Sequence, residues 1–439
     1  MPGPFQISAA IHPIPGFGTQ GPFQYGSDLY CFAFSDLDTI TGEGTLSAYV
    51  SSDAGETWTD TGESRTTTSS NLCFGSCLST SGDYVYVLYV GDPFAANLYV
   101  VRFNLTNGTF DADSPTGPAL ADGAGISPGL LIEQSTAGGL GIMTKTFSSG
   151  DARVSLCTLD AALTSWSSLS NPSGQTGGLS YAPYAIARGT SGRVHGFAVE
   201  FDGSDTRLLH VLVLGSGGGV GTAFDEVAPV IYLDSSDPVA AARSDGTIAV
   251  LYNAPDVGIG SPQMVASAIA TSADIPSWTI ETVDASTSGT EDGSTIGLIG
   301  GSDYRAVYRP LSSDDVVYST YSSGWAAPVS LSLTVPGGFG MVITGRELTS
   351  NFGFCYTDFS NGQESPSFYF SVGGTVQAIV GIEPIPSGEK MHRTHGVTGG
   401  GLETCGTPVP VIADNTCNPV DPDLAVDAPA TCVPQGYSY

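Results

Sequence analysis

Residues 83–90 read Asp-Tyr-Val-Tyr-Val-Leu-Tyr-Val, a run of β-branched and aromatic residues that begins at a turn residue. Such a run predicts a β-strand. Similar runs open at six other anchors: Asp28, Gly139, Gly192, Gly246, Asp303 and Asn351. Successive anchors lie 48 to 57 residues apart. A spacing this regular predicts a repeat architecture.

Each repeat contains four short strand-like segments separated by Gly or Asp turns, which is typical of a propeller blade. We therefore predict an all-β chain with a seven-bladed β-propeller over residues 1–383 and an irregular extension over 384–439. Ring closure needs an outer strand for the last blade. Residues 5–11 and 375–380 both qualify, and we favour the N-terminal segment as the clasp.

Charge and composition exclude several classes of protein. The chain of 439 residues has 43 acidic and 13 basic residues, a formal net charge of −30. A binder of nucleic acid or anionic lipid needs a basic face, so neither partner is expected. The N-terminus has no signal-peptide pattern, and no stretch is long and apolar enough to span a membrane. We expect neither Sec-dependent export nor membrane insertion.

Seven of the eight cysteines fall into two groups. Cys31, Cys73, Cys77 and Cys355 lie in apolar β-like runs, where a small buried side chain is the ordinary interpretation. Cys405, Cys417 and Cys432 lie in a Pro-rich tail, where disulfides are plausible and their pairing is open. No spacing of His and Cys favours zinc, and we expect no metal and no cofactor.

One segment, Ser51-Ser-Asp53-Ala-Gly55-Glu-Thr57-Trp58, falls between the third and fourth strand segments of the first repeat. It matches S-x-D-x-G-x-T-W at every specified position. This is the Asp box, and the chain up to about residue 383 resembles the sialidase-like β-propellers. Weaker copies end at Trp166, Trp278 and Trp325. The resemblance implies that the box has a structural role away from the catalytic face.

The resemblance also implies a catalytic set that this chain lacks. Sialidases of this fold use three arginines, a Tyr–Glu nucleophilic pair and an Asp acid/base. No arginine precedes Arg65 here, and Tyr308-Arg309 is the only similar Tyr/Arg pair. We assign no catalytic residue. His195 and His210 lie in β-like runs and are interpreted as ordinary sheet residues.

Five candidate ligand-binding residues are aromatic or acidic and lie near the starts of innermost strands or in the loops before them: Tyr181, Tyr184, Phe339, Asp237 and Asp292. The sixth candidate is Arg309, from the Tyr308-Arg309 pair. Exposed aromatic rings and short polar side chains suit a host glycan. Each aromatic residue has a packing role as its alternative interpretation.

The extension over 384–439 is rich in Pro, Gly and Asp without periodicity, and we interpret it as an arm that contacts other structural proteins of an assembly. Two functions remain. The first is a non-enzymatic structural or adhesion component of a phage-like virion or another extracellular assembly, oligomeric within it, that binds glycan. The second is a glycoside hydrolase or lyase with unfamiliar carboxylates.

Overall fold

A computed structural model gives the fold. It describes residues 5–6, 19–35, 44–53, 55, 57–67, 74–91, 97–120, 130–148, 151–174, 184–201, 206–229, 238–254, 264–285, 295–299, 303–310, 315–334, 343–348, 351–358, 365–372 and 375–376. All of the regular structure among them is β-strand. The predicted all-β class is therefore confirmed.

Most strands belong to sheets of four, numbered along the chain. Sheet 1 contains β2 (Thr19–Tyr25), β3 (Asp28–Ser35), β4 (Gly44–Ser51) and β5 (Thr59–Thr67). Sheet 2 contains β6 (Phe74–Leu78), β7 (Tyr84–Val90), β8 (Leu98–Asn104) and β9 (Thr109–Asp113). Sheet 3 contains β10 (Leu131–Gln134), β11 (Leu140–Ser148) and β12 (Asp151–Leu159). Sheet 4 contains β13 (Tyr184–Arg188), β14 (Val194–Phe201), β15 (Thr206–Leu214) and β16 (Asp225–Pro229).

The remaining strands follow the same plan. Sheet 5 contains β17 (Val239–Ala242), β18 (Thr247–Ala254), β19 (Met264–Thr271) and β20 (Thr279–Asp284). Sheet 6 contains β21 (Thr295–Ile299), β22 (Asp303–Tyr308), β23 (Asp315–Tyr321) and β24 (Val329–Thr334). Sheet 7 contains β25 (Ile343–Leu348), β26 (Asn351–Asp358), β27 (Ser365–Val372), β28 (Thr375–Val376) and β1 (Phe5–Gln6).

In sheets 1 to 6 the strands are antiparallel neighbours in chain order, so each sheet is a meander. Two isolated bridges, Leu159 with Trp166 and Leu156 with Ser170, extend the edge of sheet 3. In sheet 7 both β28 and β1 neighbour β27, so each segment considered for the outer strand contributes two residues. The second strand of every sheet begins at or within two residues of its sequence anchor.

The chain divides into two units. One is Gln6–Val376, which holds the sheets. The other joins Met1–Phe5 with Gln377–Tyr439, of which only Phe5 is among the described residues.

Consecutive sheets pack face to face through apolar side chains. Buried clusters join sheet 1 to sheet 2, 2 to 3, 3 to 4, 4 to 5 and 5 to 6. In β7, alternate residues serve the two neighbouring sheets because successive side chains on a strand point to opposite faces. The two sets are Val85, Val87 and Tyr89 toward sheet 1 and Tyr86, Leu88 and Val90 toward sheet 3. A strand buried on both faces therefore reads as a near-continuous apolar run.

The first strand of each sheet contacts the first strands of the sheets before and after it, and the series closes where β25 meets β2. Sheets that stack side by side around their first strands form a β-propeller. Small residues suit the crowded inner position: in sheet 2 a Cβ on Gly75 would lie 2.2 Å from the Leu130 carbonyl oxygen.

Hydrogen bonds between neighbouring sheets define one end of the ring, which we call the turn end because the connections there are short turns. The bonds run from Thr80 N to Gln134 Oε1 at 2.7 Å, Gly192 N to Thr136 Oγ1 at 2.7 Å, Thr190 N to Ser272 Oγ at 3.2 Å and Tyr304 Oη to Thr247 O at 2.8 Å. The opposite end, called the loop end, receives the connections between second and third strands and from one sheet to the next.

Arg188, the last residue of β13, ties three first strands together near the turn end. Its Nη2 donates to Glu133 Oε1 of β10 at 2.7 Å and to the Leu78 carbonyl oxygen of β6. The guanidinium is only 27% exposed. One side chain thus connects sheets 2, 3 and 4 where the strands lie closest.

We predict that Phe103→Ala destabilises the ring by about 3–5 kcal/mol, the usual cost of emptying a buried aromatic site. Phe103 is fully buried and meets the edges of Phe32 and Phe110 at ring separations of 5.1 Å each. Urea denaturation measures the change. The control Ile280→Ala, at a side chain 45% exposed, should cost less than about 1 kcal/mol. Equal costs for both variants would contradict the assignment of the core.

Candidate functional site

Sheets 4 to 6 bury polar side chains at the loop end. They are Glu200, Asn253, Asp284 and Arg309, each 5% exposed or less. Each lies at or beside the loop end of its strand. In sheet 2 the same end of the second strand carries the apolar pair Tyr89 and Val90. Burying a polar group is costly unless it has a partner, so the partners of these groups decide what the site can do.

Glu200 is held by an arginine on the adjacent strand. Glu200 of β14 pairs in register with Arg207 of β15. The Nε and Nη2 atoms of Arg207 donate to Glu200 Oε2 at 3.0 and 2.7 Å, and Nη1 lies 3.3 Å from Glu226 Oε2. The hydrogen bond to Glu200 raises the pKa of Arg207. The carboxylate is therefore committed to an ion pair inside its own sheet.

Asp284 and Tyr308 join two sheets. Tyr308 Oη, at the end of β22, donates to Asp284 Oδ2, at the end of β20, over 3.1 Å. Burial raises the pKa of the Tyr308 phenol, and the Asp284 charge raises it further. The phenol stays protonated at neutral pH and acts as a donor to the carboxylate.

The structure locates the predicted ligand residues in different ways. Arg309 follows β22 and is 1% exposed, so its guanidinium lies in the interior. Tyr184 is the first residue of β13, and its side chain is outside the described residues. Tyr181, Asp237, Asp292 and Phe339 are also outside them.

Those four residues share one place in the topology. Each belongs to a connection from the last strand of one sheet to the first strand of the next, at sheets 3–4, 4–5, 5–6 and 6–7. Each precedes that first strand by two to four residues.

The Asp-box segment forms a hydrogen-bonded turn at the turn end. Asp53 accepts bonds from Ser51 Oγ at 2.7 Å, Thr57 N at 2.8 Å and Thr57 Oγ1 at 2.6 Å. Gly55 N donates to Ser51 Oγ at 2.7 Å, and Gly55 has a φ of 95°, which favours glycine. Partial burial acts to raise the pKa of Asp53, but the bonds from Thr57 and Ser51 outweigh it and lower the pKa.

The weaker copies of the box use related contacts. Asp160 of sheet 3 accepts from Thr164 N and Thr164 Oγ1 at 2.7 Å each, which matches the turn at Asp53. In sheet 5, Asp274 instead pairs with Arg193 of sheet 4 at 2.7 Å. The turns between third and fourth strands thus serve either their own hairpin or the neighbouring sheet.

The tryptophans that end these copies contact the preceding sheet. Trp166 Nε1 donates to the Pro115 carbonyl oxygen at 3.0 Å, and Trp325 Nε1 donates to Ser267 Oγ at 2.7 Å. Trp278 packs edge-on against Phe197 at 5.5 Å. Trp58, at the end of the complete box, is half-buried. The hydrogen bonds of Trp166 and Trp325 and the ring contact of Trp278 join each of these residues to the preceding sheet.

Sequence reasoning missed the Asp284–Tyr308 pair, because the two residues lie on different sheets and belong to no local motif. It did not single out Glu200 among the many carboxylates of the chain. The alternation of β14 and β15 places Glu200 and Arg207 at loop-end positions, and a register prediction would have paired them.

Two further findings concern the described part of the chain. No three His, Cys, Asp or Glu side chains there come together as a metal ion would require. No helix there has the length and hydropathy that crossing a membrane needs. Cys31, Cys77 and Cys157 are buried, and burial raises the pKa of Cys157 to about 12. Cys73, Cys405, Cys417 and Cys432 lie outside the described residues, as does the Cys355 side chain.

No family model and no curated protein matches the chain. Solved structures do resemble it. The polysaccharide lyase Uly1 has a TM-score of 0.46 at 10% identity, over 84% of this chain and 92% of that one. The α-L-arabinanase of Penicillium chrysogenum has 0.45 at 9%, over 70% and 94%. The fucose-specific lectin of Aleuria aurantia has 0.43 at 12%, over 72% and 97%. At these values the likeness indicates neither a shared activity nor a shared ligand.

We predict that Tyr308→Phe lowers the free energy of unfolding by about 1–3 kcal/mol, because the buried Asp284 loses a hydrogen-bond donor. Urea denaturation gives the change. Tyr99→Phe is the matched control, because the Tyr99 hydroxyl is part of an exposed contact with Thr116 at 3.4 Å. A loss in the control as large as that in Tyr308→Phe would contradict the role given to the pair.

A second prediction concerns the turn at Asp53. Asp53→Ala removes three accepted hydrogen bonds and should cost about 1 kcal/mol in thermal or urea unfolding at pH 7. Since the folded-state pKa of Asp53 is lowered, its contribution is complete above the ordinary pKa of an aspartate and is lost as the pH falls further. Ser52→Ala, at an exposed neighbour in the same turn, should leave stability unchanged.

Proposed function

We propose that this protein is a non-enzymatic, glycan-binding β-propeller in which all seven sheets act as blades and the loop end carries the binding surface. The proposal also includes a relationship to the sialidase-like propellers. In this protein the Asp-box turns would stabilise the hairpins, and the sialidase catalytic residues would be missing.

One observation carries the proposal. Four predicted ligand residues, Tyr181, Asp237, Asp292 and Phe339, fall in equivalent connections between successive sheets. Equivalent connections leave the same end of the ring, and each of these residues is within four residues of a first strand. Aromatic and short acidic side chains around one axis suit a sugar, which offers an apolar ring face and hydroxyl groups.

Two described carboxylates at the loop end, Glu200 and Asp284, support binding over cleavage. Glycoside hydrolysis uses two carboxyl groups that flank the scissile bond. Glu200 is fully buried against Arg207, and Asp284 is 5% exposed and accepts from Tyr308. Both carboxylates therefore have structural partners in the interior.

The proposal also assigns an assembly role. The acidic chain with its Pro- and Gly-rich segment over 384–439 suits a structural or adhesion component of a phage-like virion or a similar extracellular assembly. In that role, residues 384–439 contact other structural proteins, and the loop end faces the host glycan.

The test combines a glycan array with a panel of chromogenic glycosides, using the full chain. We expect binding to at least one glycan class and no turnover. Tyr181→Ala, Tyr184→Ala and Phe339→Ala should each weaken binding about tenfold, because a lost aromatic contact costs about 1.4 kcal/mol.

Asp53→Ala at the turn end is the control, and it should bind glycan with unchanged affinity. Robust hydrolysis of a glycoside would replace the proposal with an enzymatic function. Equal losses in the loop-end variants and in Asp53→Ala would show that the substitutions act through folding.

A further inference from the structure

Two histidines are buried together at the junction of sheets 4 and 5. His195 of β14 and His210 of β15 are both fully buried, and they are the two histidines among the described residues. Their Nδ1 and Nε2 atoms, respectively, lie 2.9 Å apart. The His210 ring also contacts Phe197 at 5.5 Å and Trp278 of sheet 5 at 5.6 Å.

A chain of hydrogen bonds runs through the pair from one sheet to the other. Ser272 Oγ of sheet 5 lies 2.9 Å from His195 Nε2 and accepts a bond from Thr190 N at 3.2 Å. At the other end, His210 Nδ1 lies 3.9 Å from Asp225 Oδ2 and has no hydrogen-bond partner in the described structure.

The Asp225 carboxylate decides which atoms donate in this series of hydrogen bonds. A proton on His210 Nδ1 faces the Asp225 carboxylate favourably, whereas a lone pair there would be repelled. His210 Nε2 then accepts from His195 Nδ1, and His195 Nε2 accepts from the Ser272 hydroxyl. Both hydrogen bonds, His195 to His210 and Ser272 to His195, then have one donor and one acceptor while the two imidazoles are neutral.

Adding a proton to either imidazole would disrupt one of these hydrogen bonds. Protonating His210 Nε2 would set two N–H groups against each other across 2.9 Å. Protonating His195 Nε2 would make it a donor to Ser272 Oγ, and the Ser272 hydroxyl proton would lose its acceptor. In either case a positive charge would be buried beside Phe197 and Trp278, which costs free energy.

The charged groups around the pair, Asp225 and Asp274 among them, offset only part of the cost of an added proton. Arg193 and Asp274 pair with each other at 2.7 Å on the turn end, and Asp225 is 46% exposed and beyond hydrogen-bond distance. Burial, with the Arg193 charge, lowers the pKa of His195 to about 4. Burial, with His195, lowers the pKa of His210 to about 3.

We propose that the His195–His210 pair makes the junction between sheets 4 and 5 an acid-sensitive joint, which opens before the rest of the ring when the protein enters an acidic environment. The junctions of sheets 1 with 2 and 2 with 3 contain apolar clusters without a histidine. This inference does not depend on the ligand of the loop end.

The direction of the pH dependence follows from linkage. Because the folded-state pKa values lie below the ordinary 6.5, the closed joint is fully stable above pH 6.5 and weakens as the pH falls toward 4. Protonation of His195 alone should raise the opening equilibrium about 30-fold between pH 8 and pH 5.

Hydrogen–deuterium exchange of the full chain at pH 7 and pH 5, corrected for the intrinsic exchange rate, tests the proposal. Peptides covering 189–201, 206–214 and 272–284 should open at least tenfold more at pH 5, whereas 84–104 of sheet 2 should change little. The double variant His195→Phe/His210→Phe should abolish the difference, and the control His12→Gln should retain it. A uniform response, or an unchanged difference in the double variant, would overturn the proposal.

Proton NMR of the wild-type imidazoles provides a second measurement should the double variant fail to fold. Two of the five histidines should remain neutral down to pH 5. Ordinary titration near pH 6.5 by all five would overturn the proposal.

Discussion

Each sheet in this protein is too thin to bury its own apolar side chains, and this constraint organises the molecule. A four-stranded meander such as sheet 2 has two faces rich in Val, Leu and Tyr, and both need cover. Packing against sheet 1 and sheet 3 covers them. A series of such contacts ends without an exposed apolar face only if it closes, and the contact of β25 with β2 closes it.

The two ends of the ring have different roles in this description. Short turns at the turn end hydrogen-bond to one another, and Arg188 connects three first strands there. The Asp53 and Asp160 turns stabilise their own hairpins at the same end. The loop end receives the connections between second and third strands and from one sheet to the next, which lie outside the strands that form the ring. We propose glycan binding at the loop end for this reason.

Several polar side chains of sheets 4 to 6 interact in pairs. Glu200 meets Arg207 within a sheet, Asp284 meets Tyr308 across two sheets, and His195 meets His210 beside Ser272. In the first two pairs the donors, Arg207 and Tyr308, keep their protons at neutral pH because their pKa values are raised. The histidine pair differs because its bonds require both rings to be neutral. In our proposal, the stability of the junction between sheets 4 and 5 therefore depends on pH.

The strand runs and their spacing could be predicted because local alternation and turn residues encode them, and the second strands begin at those anchors. The all-β class followed from the sequence alone. The Asp284–Tyr308 pair and the contacts of His195 with Ser272 and of His210 with Trp278 could not be predicted, since alternation says that a side chain is buried but not which neighbour it meets. The two histidines themselves are diagonal neighbours on the adjacent strands β14 and β15. Only the packing of one sheet on the next decides the other partners, because it brings together residues that no local pattern connects.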